Sequence, residues 1–376
     1  MTPQIGFVST YQPTNCGIAT FSSSLMSAMN AGNLYTTKVV RLVEAGAKQD
    51  FSAPEIMATL VAGDAGSMAR AAIALNTMDI AVVQHEFGIY GGEDGAEVLS
   101  LVNKLVVPTI VVLHTVLSAP SVSQRSILAD LCDQAAAVVV MSKVARNRLI
   151  ANGCIDASKI FLIHHGARRI ITHSFHSEFE RPVVLTWGLI SPGKGIEWVI
   201  RAMEQLRDIT PSPVYIVAGR THPKVLEHEG ESYRNSLQLL IDDLALGDNV
   251  KLWPEYLSGD ALDNLIASSS IVVLPYDNSE QVTSGVLVEA VSAGRPIIAT
   301  RFPHAVELLE GDVGSLVPYR DPVAISKAIR SILVDPSVAA EMSRRTSVIA
   351  RAIQWPVVAR QYMELASSLM YSRVSA

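Results

Sequence analysis

Cysteine is scarce: Cys16, Cys132 and Cys154 are the only three in 376 residues, and no two form a C-x-x-C pair. An odd, sparse set excludes a disulfide framework and fits a reducing compartment. Charge is thin as well. Charged residues are 18% of the chain, below the about 25% of an average globular protein. The net charge of −6 leaves no global basic field for nucleic acid. No apolar run approaches the ~18 residues of a membrane helix; the longest, such as Ala135 to Met141, are strand-sized. The opening MTPQIGFVST has no basic region ahead of its short apolar stretch, unlike a signal peptide. A soluble cytoplasmic protein with no transmembrane segment is expected. What the chain does have is apolar residues, 49% of it. Over this length they suffice for about two domains without metal or disulfide.

Short β-branched runs alternate with helical stretches, the pattern of parallel sheets covered on both faces. In the first half the expected strands are Ile5 to Ser9, Lys38 to Leu42, Ile80 to Gln84, Thr109 to His114, Val138 to Met141 and Ile160 to His164. The polar, aperiodic text ARRIITHSFHSEFER between Gly166 and Pro182 reads as a linker. A second series follows at Val183 to Trp187, Val214 to Ala218, Val250 to Leu252, Ile271 to Pro275, Ile297 to Thr300 and Ser315 to Val317. The chain closes with helical text at Val323 to Ser331, Val338 to Ile353 and a last helix to about Tyr371. The expected fold class is α/β: two doubly wound domains, 1–170 and 171–355, facing a cleft, with 356–376 a helix crossing back to the first. Ligands of open α/β sheets bind at loops following the strands.

The strongest of those loops is EQVTSGVLVEAVSAGRPIIAT, Glu280 to Thr300. Thr283 or Ser284 suits an N-cap, and Gly294 with Pro296 stops the helix. The bare N–H groups at Gly285 then form an anion site. Glu289 lies four residues on, on the same face and about 6 Å along the axis. A diphosphate at the helix start with ribose hydroxyls at Glu289 fits this spacing; so does an ordinary capped helix with an exposed Glu. A second loop, GLISPGKGIEW, follows Trp187 and begins like G-x-x-x-x-G-K. Gly195 stands where a P-loop needs Ser or Thr to hold magnesium, which argues against that motif. Lys194 reads either as a cation aimed at an anion or as a solvated surface lysine. Asn15-Cys16-Gly17 ends the first loop, and Ile18, Phe21, Leu25 and Met29 supply a helical core face. VAGRTHP, Val217 to Pro223, is another glycine turn after a strand.

Taken in order, these motifs carry a resemblance: a glycine turn after the first strand, VVLHT ending in a strand-end His, G-x-x-x-x-x-K-G, an Ala-Gly turn, and SGVLVEAVSAGRPIIAT followed by a helix with Glu307. The chain resembles the retaining nucleotide-sugar glycosyltransferases of family four, which have the two-domain GT-B fold of Rossmann-like domains. The resemblance covers most of the chain and is most specific in the second half. It implies a metal-independent transfer of a hexose, glucose or mannose, from a UDP- or GDP-linked sugar to a hydroxyl acceptor, with no further cofactor. The acceptor class is open: carbohydrate, lipid-linked or small molecule.

The resemblance also implies roles. Lys194 matches a lysine on the donor diphosphate, Glu289 the ribose carboxylate, and Ser284, Gly285 and Val286, beside Thr283, the backbone at phosphate and sugar. His114 matches the strand-end His near the sugar, and Gly17 and Gly219 match loop glycines that approach the donor. Two positions depart from the family. Leu189 stands where an Arg is usual, so that one cation is either missing or supplied from elsewhere, with Arg220 the candidate, and Gln281 replaces the first Glu of the paired motif, with Glu280 one place off. An epimerase or phosphorylase on the same fold, or a non-catalytic sugar-binding protein, are the rival readings.

Other residues weigh less. His85 and Glu86 in QHEFGIYGGEDG are candidate acceptor contacts, set against a plain structural turn, and are not the H-E-x-x-H of a zinc helix. His164, His165, His173 and His176 cluster, but Arg168 and Arg169 among them disfavour a metal. His304 and Glu307 border the nucleotide loop, and Trp253 to Tyr256 offers a place for a base.

Overall fold

A computed structural model describes residues 2–46, 53–153, 155–170, 180–255, 257 and 259–374. Cys154, His173, His176 and Tyr256 lie outside the described residues. Two compact units form, Met1–Gly166 with Trp355–Ala376, and Ala167–Gln354.

In the first unit seven strands, β1 (Gln4–Thr10), β2 (Thr36–Val43), β3 (Ile56–Val61), β4 (Ile80–His85), β5 (Thr109–Leu113), β6 (Ala137–Val140) and β7 (Ile160–Leu162), form one sheet in the order β3-β2-β1-β4-β5-β6-β7. All neighbours pair in parallel. This is the doubly wound order, whose direction reverses between β1 and β4. β3 is a strand that the sequence reading lacks. IMATLV is a half-exposed edge strand, and its register against β2 shifts between Val39 and Val40. An edge strand buries one side only, so it has no continuous β-branched run to betray it.

In the second unit β8 (Val183–Trp187), β9 (Val214–Ala218), β10 (Val250–Trp253), β11 (Ile271–Leu274), β12 (Ile297–Thr300) and β13 (Ser315–Val317) run in the order β10-β9-β8-β11-β12-β13, again all parallel. The reversal here lies between β8 and β11. Strand interiors are close to fully buried on both faces, with Val184, Leu185, Val272, Val273 and Ile298 at the centre.

Helix boundaries follow local chemistry. Gly17–Asn30 starts at Cys16, whose Sγ accepts from the Ala19 N–H, and turns Phe21, Leu25, Met26 and Met29 into the first core. Pro322 and Pro336 stand at the first positions of Pro322–Val334 and Pro336–Ala350, where no N–H is needed. The last helix, Trp355–Val374, packs Trp355, Val358, Ala359 and Tyr362 into the core around Phe7 and Phe21 of the first sheet's unit.

Candidate functional site

The sheet reversal in the second unit brings the two strongest loops side by side. Trp187 ends β8, and its indole N–H donates to Oε2 of Glu289 at 3.2 Å. Glu289 sits in the helix Gly285–Ser292, which follows β11. Between strand and helix, the Asp277 N–H donates to the Gly193 carbonyl at 2.8 Å, stitching the Lys194 loop to the text after β11. Gly195 takes a left-handed φ of +68°, and a Cβ there would lie 1.9 Å from the Pro275 carbonyl oxygen. Only glycine fits this close approach. The Ala218-Gly219 turn is locked similarly: a Cβ on Gly219, φ +144°, would meet the Gly188 oxygen at 1.9 Å. The Ile190 N–H donates to the Arg220 carbonyl at 2.9 Å, so the turn carrying half-buried Arg220 lies beside the Lys194 loop.

Ser284, rather than Thr283, is the N-cap: its Oγ accepts from the Leu287 N–H at 3.2 Å. Gly285 and Val286 then keep N–H groups with no intrahelical acceptor. The Ser284 N–H donates to Nδ1 of His304 at 2.9 Å, and the His304 N–H donates to the Gln281 carbonyl at 3.2 Å. A backbone N–H can only donate, so the buried His304 ring carries no proton on Nδ1. His304 therefore holds the loop from Gln281 to Ser284 in place. Gln281 donates from Nε2 to the Thr283 carbonyl, and the Thr283 hydroxyl is buried without a partner. A Cβ on Gly188 would lie 3.5 Å from Val286 Cγ2, which sets the Lys-loop glycine against the helix start.

Lys194 lies over the ring of Tyr276, its Nζ 4.3 Å from the centroid, and Tyr276 stacks on Phe302 at 5.0 Å. The aromatic face holds the ammonium while leaving its hydrogens free to donate. The Lys194 charge also reaches His222, whose imidazole is held below its ordinary value first by burial, then by Lys194 and Lys224. Burial pushes the Glu289 carboxyl above its ordinary value, against the pull of Arg168 and the Trp187 hydrogen bond, with Asp263 adding to the rise. Arg168 itself pairs with Asp263 at 2.9 Å. Tyr276, Trp187, Arg168 and His222 were not picked out as site residues from sequence. Each gains its place through a contact distant along the chain, although Tyr276, next to a strand end, carried a positional signal.

In the first unit, the Phe21 ring, on the helix begun by Gly17, meets His114 and His165 edge-on at 5.0 Å each and Trp355 at 5.2 Å. Nε2 of His114 donates to Gln84 Oε1 at 2.7 Å, at the ends of β5 and β4. Burial holds His114 down to about 3 and His165 to about 4. Gly17 is exposed, with open space around it. His85 is different: it is 0% exposed, packed edge-on to Phe87 at 5.1 Å, and neither ring nitrogen has a partner. Its imidazole is enclosed by protein. Glu86 Oε2 accepts from the Gly88 N–H at 2.7 Å. Nδ1 of His164 donates to the Met141 carbonyl at 3.1 Å.

Residues 170–352 match the family of group 1 glycosyl transferases. That stretch is nearly the whole of the second unit, Ala167–Gln354. Over 169 residues the chain is 28% identical to a GDP-mannose-dependent α-(1-6)-phosphatidylinositol monomannoside mannosyltransferase of Mycolicibacterium smegmatis, covering 43% of this chain and 41% of that protein. It is 25% identical to an α-D-kanosaminyltransferase of Streptomyces kanamyceticus over 232 residues, 58% of this chain and 56% of the relative. The chain thus spans about half the length of these curated relatives. In structure it is similar to Anabaena HepE in complex with UDP and glucose, with a TM-score of 0.76 at 18% identity over 97% of this chain and 100% of that one. A glycosyltransferase from Rickettsia africae superposes with a TM-score of 0.76 at 15% identity, over 98% and 99%. The fold of the chain is therefore GT-B, two Rossmann-like domains. Among the described residues, no helix is long and apolar enough to cross a membrane.

Proposed function

We propose that the protein is a retaining, metal-independent hexosyltransferase of family four, moving a hexose from a nucleoside diphosphate sugar to a hydroxyl acceptor in the cytoplasm. The observation that carries this reading is the convergence, at the reversal point of the second sheet, of Lys194, the open N–H groups of Gly285 and Val286, and Glu289. A cation and two backbone donors suit a diphosphate, and a carboxylate held one helical turn away by Trp187 suits ribose hydroxyls. Relatives that use GDP-mannose or bind UDP support a UDP- or GDP-linked glucose or mannose as donor.

As the bond from the anomeric carbon to the leaving phosphate breaks, negative charge grows on the diphosphate. Lys194 and the helix start stabilise that charge more than the ground state, which accelerates the step. The acceptor oxygen bonds the same face of the anomeric carbon, and its proton passes to the departing phosphate. Glu289 is a binding residue in this scheme, not a nucleophile. Gln281 would hydrogen-bond sugar hydroxyls, Arg220 would stand in for the cation missing at Leu189, and Gly219 would line the donor.

Thermal unfolding with UDP, GDP, ADP and TDP in turn, in EDTA, tests the reading. Nucleotide at about a hundred times its dissociation constant adds ~2.7 kcal/mol. For domains of this size that is a rise of several degrees. A rise with one nucleotide names the base; no rise with any of the four sinks the site. A new glycosidic bond in the product separates transfer from epimerisation, and any donor turnover separates it from plain sugar binding.

A further inference from the structure

A buried cation in the first unit has no role in the donor site just described. Arg41 stands in β2 between Ser9 of β1 and Thr59 of β3, its register partners, so the three side chains share one face of the sheet. Arg41 is 5% exposed. Its Nη2 donates to Thr14 Oγ1 at 3.3 Å, in the loop that runs from β1 to Gly17. Nε and Nη1 are buried and have no hydrogen-bond partner, and no ion pair holds Arg41 among the described residues. Glu55, just ahead of β3, accepts from the Tyr11 hydroxyl at 3.0 Å. A guanidinium removed from water without a counter-charge is costly, by several kcal/mol. A fold retains such a group where an anion completes it.

The surroundings say which kind of anion. Thr59 Oγ1 is buried without a partner, and Thr14 Oγ1, in accepting from Arg41, keeps its own proton to donate. Ser9 donates to the Thr10 carbonyl at 2.7 Å and lies 2.7 Å from the Ser22 hydroxyl, so its proton is already used. The free capacity at Arg41 is donor only, one N–H at Nε and two at Nη1, and the two hydroxyls each have a proton to add, more than one planar carboxylate needs and suited to a tetrahedral dianion. We propose that Arg41, Thr14 and Thr59 bind a phosphate group carried by the hydroxyl acceptor. The turn Gln12–Asn15, exposed except for half-buried Thr14, is the segment that lifts to admit it. Assignment of the phosphate to the acceptor rests on the glycosyl-transfer reading; the anion site itself does not.

The test is thermal unfolding of the full chain with inorganic phosphate, and with acetate at equal ionic strength. It is run on wild type and Lys194→Ala, and on Arg41→Met and Thr59→Val each made in the Lys194→Ala background, so that phosphate bound in the donor site is set aside throughout. The expected result is a rise of several degrees with phosphate in wild type and in Lys194→Ala, and none once Arg41→Met is added. Arg41→Met itself, relieved of an unpaired cation, melts at or above its Lys194→Ala parent without phosphate. A wild-type melt that phosphate leaves unmoved, an equal rise with acetate, or a rise surviving in Arg41→Met overturns the proposal. Should Arg41→Met not fold, Thr59→Val decides: a rise cut at least by half supports the site, and an undiminished rise overturns it. None of these readouts depends on nucleotide binding, so failure of the donor site and failure of this one are seen separately.

Discussion

The indole N–H of Trp187 reaches Oε2 of Glu289 across 3.2 Å, joining the end of β8 to the helix that follows β11. The carboxylate it holds is one that burial disfavours, so the folded protein binds a proton at Glu289 more tightly than the unfolded chain does. The favourable contribution is complete below the ordinary value of 4.5 and is lost as pH rises through the higher folded value. At neutral pH the ionised group therefore costs stability. Glu289→Gln has no charge at any pH, and its amide oxygen can still accept from Trp187. It is expected to melt higher than wild type at pH 7, with the gap closing toward pH 4, while losing about tenfold or more in nucleotide affinity, ~1.4 kcal/mol. Melts between pH 4 and 8 with calorimetric titration of the nucleotide check both halves; a lower melt at pH 7 contradicts the burial argument.

Lys194 rests on Tyr276 at 4.3 Å and is expected to act on the leaving diphosphate. Lys194→Ala should fold normally and lower kcat by about a hundredfold to a thousandfold, the range for removing one donor to a developing oxyanion. KM should move by much less, since ground-state binding is shared with the helix start and Glu289. Tyr276→Phe keeps the ring and should retain most of the activity. Steady-state kinetics on the purified variants decide it: unchanged kcat in Lys194→Ala removes the lysine from the mechanism.

The strands around both sites were legible because parallel strands buried on both faces are continuous apolar runs, such as Val183 to Trp187 and Ile271 to Leu274. A cap at Thr283 or Ser284 and the helix start at Gly285 were legible from small polar text before an apolar run; the choice of Ser284 came from the structure. Ile56–Val61 was not, because an edge strand needs no such run. Neither Trp187 against Glu289 nor His304 against the Ser284 N–H could be read, since each contact joins residues 102 or 20 positions apart through the sheet. The depth of His85 was hidden for the same reason. A polar letter after a strand marks a position, while its burial is set by Phe87 and Tyr90 folding back over it.

Two glycines separate structural from functional need. A Cβ on Gly219 would sit 1.9 Å from the Gly188 oxygen at a φ that L residues avoid, so backbone must move to admit it. Gly219→Ala should lose on the order of 2–4 kcal/mol of stability, mixing overpacking with backbone strain. Gly17 has nothing within 4 Å of such a Cβ. Gly17→Ala should melt within about 1 kcal/mol of wild type, and any fall in turnover then reports a ligand approaching the loop. Denaturant melts paired with donor kinetics read the contrast. Equal destabilisation by both substitutions would contradict the packing.

Three buried imidazoles should shape the acid limb of stability. Burial holds His85 and His165 to about 4 and His114 to about 3, all below the ordinary 6.5. A base with a depressed folded value leaves the unfolded chain holding the extra proton. Stability is therefore complete above 6.5 and falls as pH drops toward the folded value. For His85, fully buried with no hydrogen bond to lose, the fall amounts to on the order of 3 kcal/mol by pH 4. His85→Leu is close in volume and carries no titrating group. It is expected to match wild type within about 1.5 kcal/mol at pH 7 and to overtake it as pH falls, with up to one proton less in the slope between pH 6.5 and 4. Urea melts at half-unit pH steps measure that slope. Parallel slopes for the two proteins would mean that His85 is protonated or solvated in the folded state, contrary to its burial.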